Sequence, residues 1–318
     1  MNQSRPKPLV IWTGDDRLAA SVGQLASAAG LLHSRHQGGT SGKADDMPVS
    51  GVDGVILADC DLGMDLMTRL AAARPAHSLV YAFGGNRREL INDVFGKLSA
   101  RHVLGRNTHL LRHEMLPLVS LCAGAPGVWA LLSAGSRELH AARLWDGSGI
   151  EAAVEGAKQA AAGLNTYSEF PNYVATCVWE LLTNAIYDAR RGTAIELRRD
   201  SKESLPGAMR TSDRLVTLEV CADEEKIAIR IQDRLGRLTP AMVLQNWTRA
   251  DARAADQIKH DHGGAGVGLY MVLHECAQLI FSVQRDVSTE IVFTLPVERM
   301  NRAFLTRIPS VHFFEMGS

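Results

Sequence analysis

Short apolar runs alternate with amphipathic stretches through residues 1–106. Leu9 to Trp12 is wholly apolar and stops at Thr13-Gly14-Asp15-Asp16. Arg17 to Ala29 carries Leu18, Val22, Leu25, Ala26 and Ala29 at helical spacing, and Gly30 follows as a stop. Leu31-Leu32 reads as a short second strand, and the Gly-, Ser- and Asp-rich stretch 37–46 as a loop. Val52 to Ala58 is a third apolar run ending at Asp59. Met64 to Ala73 reads as a helix closed by Pro75, and Leu79 to Phe83 as a fourth strand stopped by Gly84-Gly85. Arg87 to Leu98 reads as a helix and His102-Val103-Leu104 as a fifth strand. Strands without a polar side, set between amphipathic helices, predict an α/β doubly wound parallel sheet, because helices cover both of its faces.

The pattern then changes. Residues 107–135 are apolar and mostly helical, broken at Gly124-Ala125-Pro126-Gly127, and read as a helical linker. Its apolar surface would serve a dimer seam, and burial within one chain accounts for it equally well. From 136 to 318 the spacing predicts an α+β sandwich, with helices packed on a mixed sheet. Its strands are Leu139 to Trp145, Leu215 to Cys221, Lys226 to Gln232, Gln278 to Gln284 and Thr289 to Leu295. Its helices are Gly149 to Leu164, Glu169 to Arg191, a short one from Thr239 to Trp247 that opens on Pro240, and Val267 to Ala277. Ala222-Asp223-Glu224-Glu225 joins two alternating strands as a hairpin turn.

Composition narrows the ligand classes. Across 318 residues, 34 Lys and Arg face 35 Asp and Glu, a net charge of −1, so the basic excess of a phosphate-tracking nucleic-acid binder is missing. The five cysteines lack CxxC spacing and offer neither a disulfide framework nor a zinc site. The apolar run Pro8 to Trp12 is too short for a signal-peptide core, and no apolar stretch is long enough for a membrane helix. The expectation is therefore a cytoplasmic protein without nucleic-acid or membrane binding.

Three segments place polar chemistry on apolar elements. Glu180, Asn184 and Asp188 stand at i, i+4 and i+8 on a predicted helix, with Leu181, Leu182, Ala185 and Ile186 on the other side. A carboxylate and a carboxamide one turn apart suit a hard cation that bridges phosphates. A solvated polar face accounts for the spacing equally well. Asp233 follows an apolar strand and precedes Gly236. A carboxylate there can accept from an exocyclic amine, and a glycine lets the backbone approach a ligand; an ordinary turn is the plainer reading. Gly264, Gly266, Val267, Gly268 and Leu269 lie in a glycine-rich run entering a helix, where backbone N–H groups and the helix dipole favour an anion.

In this order the three segments resemble the GHKL superfamily, the Bergerat-fold ATP-binding domain of histidine kinases, anti-sigma-factor serine kinases and gyrase, over roughly residues 136 to 297. The resemblance implies ATP or ADP with Mg²⁺ as ligands. It makes Glu180 the catalytic residue that orients or deprotonates the attacking group, and Asn184 the Mg²⁺ ligand. Asp188, Asp233, Gly236, Gly264, Gly266, Val267, Gly268, Leu269 and Thr289 would bind the nucleotide. Asp233 would read adenine, and Thr289, at the start of a strand, would support the adenine pocket. Residues 247–262 would form a lid whose Arg249, Arg253 or Lys259 could touch the terminal phosphate, although solvated charge is the plainer reading of those three. The sequence departs from the family pattern at Leu235 and Arg237, which stand where glycines are expected. The wording around Asn184 and Gly268 resembles bacterial regulators that join a receiver to an ATPase of the anti-sigma kinase type.

Residues 8 to 106 resemble a response-regulator receiver, with Asp59 as the phosphoacceptor served by an upstream histidine kinase. Asp15 and Asp16 lie about two residues late for the acidic metal site, Ala82 stands where a Thr or Ser is expected, and Gly105-Arg106-Asn107 replaces the usual Lys-Pro. A pseudo-receiver used for docking or dimerisation fits these departures better than an active switch. His113, in Arg112-His113-Glu114, is the one candidate phosphohistidine. The short stretch before Glu180 leaves little room for a dimerisation hairpin. The sequence thus predicts a signalling protein acting on a protein partner of the sigma/anti-sigma or two-component type, by serine/threonine phosphorylation or as a nucleotide-dependent switch. The alternatives are a non-catalytic nucleotide-sensing module and an atypical histidine kinase.

Overall fold

The computed structural model describes residues 8–28, 30–36, 54–75, 78–83, 94–105, 118, 132, 136–190, 211–245, 269, 272–273, 276–297 and 309–316. The chain is mixed α/β and divides into two compact units, Met1–Leu131 with Thr306–His312, and Leu132–Leu305 with Phe313–Ser318. The described residues 309–312 thus group with the first unit, outside the second domain of 136–318 that the sequence predicts.

In the first unit β1 (Leu9–Trp12), β2 (His33–His36), β3 (Val55–Asp59), β4 (Leu79–Phe83) and β5 (His102–Gly105) pair in parallel in the order β2-β1-β3-β4-β5. Helix α1 (Asp16–Ala28) buries Leu18, Val22 and Ala26, spaced four apart on one face, in a core with Leu9, Ile11, Val55, Leu57 and Val80. Helix α2 (Met64–Ala73) buries Met67 and Leu70. Gly30 takes φ +71 just past α1, and Leu31 N–H returns to Ala26 O at 2.9 Å, closing the helix with a left-handed residue. This corrects the second strand. Leu31 is drawn into the core by the helix end, Leu32 is 78% exposed, and the strand proper is the polar His33–His36. It pairs only with β1 among the described strands and so needs no apolar run.

In the second unit β6 (Arg137–Leu144) leads through a turn at Gly147–Gly149 into α3 (Ile150–Ala162) and α4 (Phe170–Ile186). Then come β7 (Val216–Ala222), β8 (Lys226–Asp233), a short helix at 240–245, β9 (Gln278–Gln284) and β10 (Ser288–Pro296). The strand order is β9-β10-β8-β7-β6, and every described pairing is antiparallel rather than mixed. In β7 and β8, Val216, Leu218, Val220, Ile227, Ile229 and Ile231 are buried, while Thr217, Glu219, Arg230 and Gln232 on the alternate positions are half-buried. Helices α3 and α4 contact these strands and cover the apolar face. On the other face Arg230 bridges Glu290 at 2.6 Å and Glu219 at 3.1 Å. Within the predicted helix Val267 to Ala277, helical residues are described at Leu269, Val272 and Leu273. These three and Cys276 are buried at i, i+3, i+4 and i+7.

The last strand, β11 (Ser310–Met316), is absent from the sequence reading. Its first residues pair antiparallel with β5 through Val311↔Val103 and His312↔His102, and Ser310 Oγ accepts from Gly105 N–H at 2.9 Å. The His312 and His102 rings lie 5.7 Å apart and are both buried.

Candidate functional site

The second unit brings two of the expected site residues, Asp233 and Thr289, together at one strand register. The register Leu144↔Val216, Thr217↔Gln232 and Asp233↔Thr289 sets Leu144, Val216, Asp233 and Thr289 in one row across β6, β7, β8 and β10. Asp233 is 7% exposed and Thr289 3%. Leu235 N–H donates to Asp233 Oδ1 at 2.8 Å. Burial pushes the carboxyl of Asp233 above its usual range, and hydrogen bonds from the N–H groups of Leu235, Gly236 and Thr289 and from the Thr289 hydroxyl work against that rise. A buried acceptor beside a hydroxyl that both donates and accepts can read an amine next to a ring nitrogen. Ile291, two residues on from Thr289, is half-buried and offers an apolar surface on the same side of β10.

Gly236 is required by its neighbours. It has φ +62, and a Cβ there would stand 2.0 Å from Gln284 O and 2.7 Å from Asp286 N. Asp286 N–H also donates to Gly236 O at 3.2 Å. The close approach inferred from sequence is therefore to the β9–β10 turn.

Helix α4 carries Glu180 and Asn184 one turn apart, both half-buried, while Leu181, Leu182, Ala185 and Ile186 are buried. Their oxygen donors fit a hard divalent ion that completes its shell with phosphate and water. Among the described residues no group of three or more His, Cys, Asp or Glu is placed to hold a metal by itself. The helix ends earlier than predicted. Tyr187 caps it, its N–H reaching Thr183 O at 2.9 Å, and Asp188–Arg190 form a separate 3-10 turn. Asp188 thus lies outside the helix that carries Glu180 and Asn184.

The turn brings in a residue that sequence reasoning missed. Arg190 is 1% exposed and donates to Trp145 O at 3.1 Å and to Arg214 O. Burial, with Arg214, pushes its pKa down to about 10, while Asp233, Asp146 and Tyr187 draw it upward. Asp146 is itself buried and accepts from Ser148 N–H at 2.9 Å, capping the turn before α3. No local signal marks Arg190, because its partners are backbone carbonyls that every residue carries.

Of the remaining candidates, Leu269 is 4% exposed within the apolar stripe described above. Gly264, Gly266, Val267 and Gly268, the predicted lid 247–262 with Arg249, Arg253 and Lys259, and His113 lie outside the described residues.

In the first unit Asp59 ends β3 and is 2% exposed. Its Oδ2 accepts from the Thr13 hydroxyl at 2.5 Å and its Oδ1 from Asp61 N–H at 3.0 Å. Asp15 caps α1, accepting from Arg17 N–H at 2.8 Å and Leu18 N–H at 3.2 Å, and Asp16 pairs with Arg35 near the surface. The two acids that sequence offered for a metal beside Asp59 are thus engaged elsewhere. Ala82 is fully buried at the end of β4.

Comparison with protein-family models found no match, and comparison with curated proteins found none. Among the described residues no helix is long and apolar enough to cross a membrane.

Proposed function

We propose that the second unit is a GHKL-type module that binds ATP or ADP with Mg²⁺. On this reading the chain is a cytoplasmic signalling protein acting on a protein partner, as an anti-sigma-type serine/threonine kinase or a nucleotide-dependent switch. The observation that carries the reading is the buried Asp233–Thr289 pair. A carboxylate and a hydroxyl distant in sequence meet at one strand register, in a sheet whose strands β7 and β8 pack against the helix bearing Glu180 and Asn184. Bound ATP would supply the phosphoryl group. Asp233 would accept from the exocyclic amine and the Thr289 hydroxyl would hold that carboxylate in place. The Asn184 carbonyl oxygen would ligate Mg²⁺, and Glu180 would orient or deprotonate the acceptor hydroxyl. By sequence resemblance the N–H groups from Gly264 to Gly268 would face the phosphates.

A second reading is a nucleotide sensor without transfer. Gly236 packing against the β9–β10 turn favours it, because the loop after Asp233 is tied to protein. For the first unit we propose a silent receiver used for docking, since Thr13 holds Asp59 and, among the described residues, no group of three or more His, Cys, Asp or Glu is placed to hold a metal.

Titration calorimetry of the full chain with ADP and with ATP plus Mg²⁺, followed by incubation with γ-labelled ATP and candidate partner proteins, tests these readings. Saturable binding with acid-stable label on a partner, lost in Asn184→Ala, supports the kinase. Binding without transfer supports the sensor. Acid-labile label lost in His113→Ala supports a histidine kinase. A chain that binds neither nucleotide overturns all three.

A further inference from the structure

We infer that Arg190 is a positioning residue for Asp233: it closes the end of the sheet that carries the Asp233–Thr289 row and holds a fixed positive charge behind the carboxylate. The inference rests on the adenine-reading role proposed for Asp233. Its geometry comes from the strand register. Trp145 follows Leu144 and Arg214 lies two residues before Val216, and Leu144, Val216, Asp233 and Thr289 form one row. Arg190 donates to the backbone oxygens of both Trp145 and Arg214, so its guanidinium spans the ends of β6 and β7 at that row. The residue is 1% exposed, and a planar donor set fixed at two carbonyls has little freedom to move.

A buried cation needs negative charge nearby, and Asp146 and Asp233 supply it, against the repulsion of Arg214. The attraction is mutual, so the charge that Asp233 lends to Arg190 also favours the ionised form of Asp233 against its burial. Ionisation decides which base is read. An ionised carboxylate only accepts and suits the 6-amino group of adenine, whereas a protonated one can donate and suits the 6-oxo group of hypoxanthine. Arg190 therefore sets the choice of base without touching it. Tyr187, which caps the helix before Arg190, sets its hydroxyl against Gly147 in the turn before α3, where a Cβ would stand 1.7 Å from it.

The test compares ADP with inosine 5′-diphosphate by calorimetry on the full chain, in wild type, Arg190→Met and Arg190→Lys. The expected result is a preference for ADP that falls about tenfold or more in Arg190→Met, in line with loss of support for a charged hydrogen bond, and recovers in part in Arg190→Lys. Circular dichroism confirms that each variant is folded. A wild type that prefers ADP, with both variants keeping that preference, overturns the role of Arg190 and leaves the ATP-binding reading standing. A wild type that binds neither nucleotide overturns both. Should neither variant fold, the wild type decides. The guanidinium nitrogen signal of Arg190 must shift with ADP and not with inosine 5′-diphosphate, and a signal indifferent to both overturns the inference.

Discussion

Two buried aspartates stand in closely similar local settings. Asp59 ends β3 and Asp233 ends β8. Each bonds a threonine hydroxyl from a distant segment, and each accepts from the N–H two residues ahead, at 3.0 Å and 2.8 Å. The surroundings differ. Thr13 holds Asp59, while Asp15 caps a helix and Asp16 pairs with Arg35. Asp233 has the guanidinium of Arg190 within its field and lies at the end of a sheet covered by the helix of Glu180 and Asn184. A carboxylate at the end of an apolar strand is thus a frequent structural part, and the groups around it decide what it can do.

The largest expected effect would break this contrast. Asp233→Asn should weaken ADP binding about 10- to 100-fold, because the amide turns a donor toward the base where a charged acceptor stood. Asp59→Asn should leave binding within experimental error. Calorimetry on both variants decides, and equal losses would abolish the distinction between the two units. The next effect concerns the scaffold behind Asp233. Gly236→Ala should cost about 2–3 kcal/mol, because φ is +62 and the new Cβ would meet Gln284 O. Chemical denaturation measures it, and wild-type stability would refute the close approach.

Thr13→Val sharpens the comparison from the other side. It leaves the buried Asp59 short of a donor and should cost about 1–3 kcal/mol without changing nucleotide binding. The smallest effect is a pH dependence in the first unit. Burial pushes His312 down to about 3, so the folded unit keeps it neutral while the unfolded chain protonates it near 6.5. Between those values the unfolded state binds more protons. The His312 contribution is therefore complete above about pH 6.5 and is lost as pH falls toward 3, by at most about 1.4 kcal/mol per pH unit. Melting curves at pH 7 and pH 6 should differ slightly in the wild type, and less so in His312→Phe.

Strands bounded by clear breakers were legible in the sequence. Leu9–Trp12, Leu79–Phe83 and Gln278–Gln284 fall where the apolar runs put them. The polar strand His33–His36 was not, because a strand with a single described neighbour carries little apolar signal. The pairing of Asp233 with Thr289 entered through family resemblance alone. Periodicity cannot say which distant strands share a row, and the same limit hid β11. Arg190 was illegible for a different reason: its work is done on main-chain oxygens at strand ends.

Strand β11 has a consequence for the order of synthesis. The contact between Gly105 and Ser310 spans 205 positions of chain. At about 5–20 residues per second, a ribosome needs roughly 10–40 s to travel between them. Through that interval the edge of β5 stands without its antiparallel neighbour, while the residues of the second unit emerge. The first unit therefore completes its sheet last, although it is made first. A ribosome-bound chain stalled before residue 309 should show the β5 amides exchanging with solvent far faster than in the released protein.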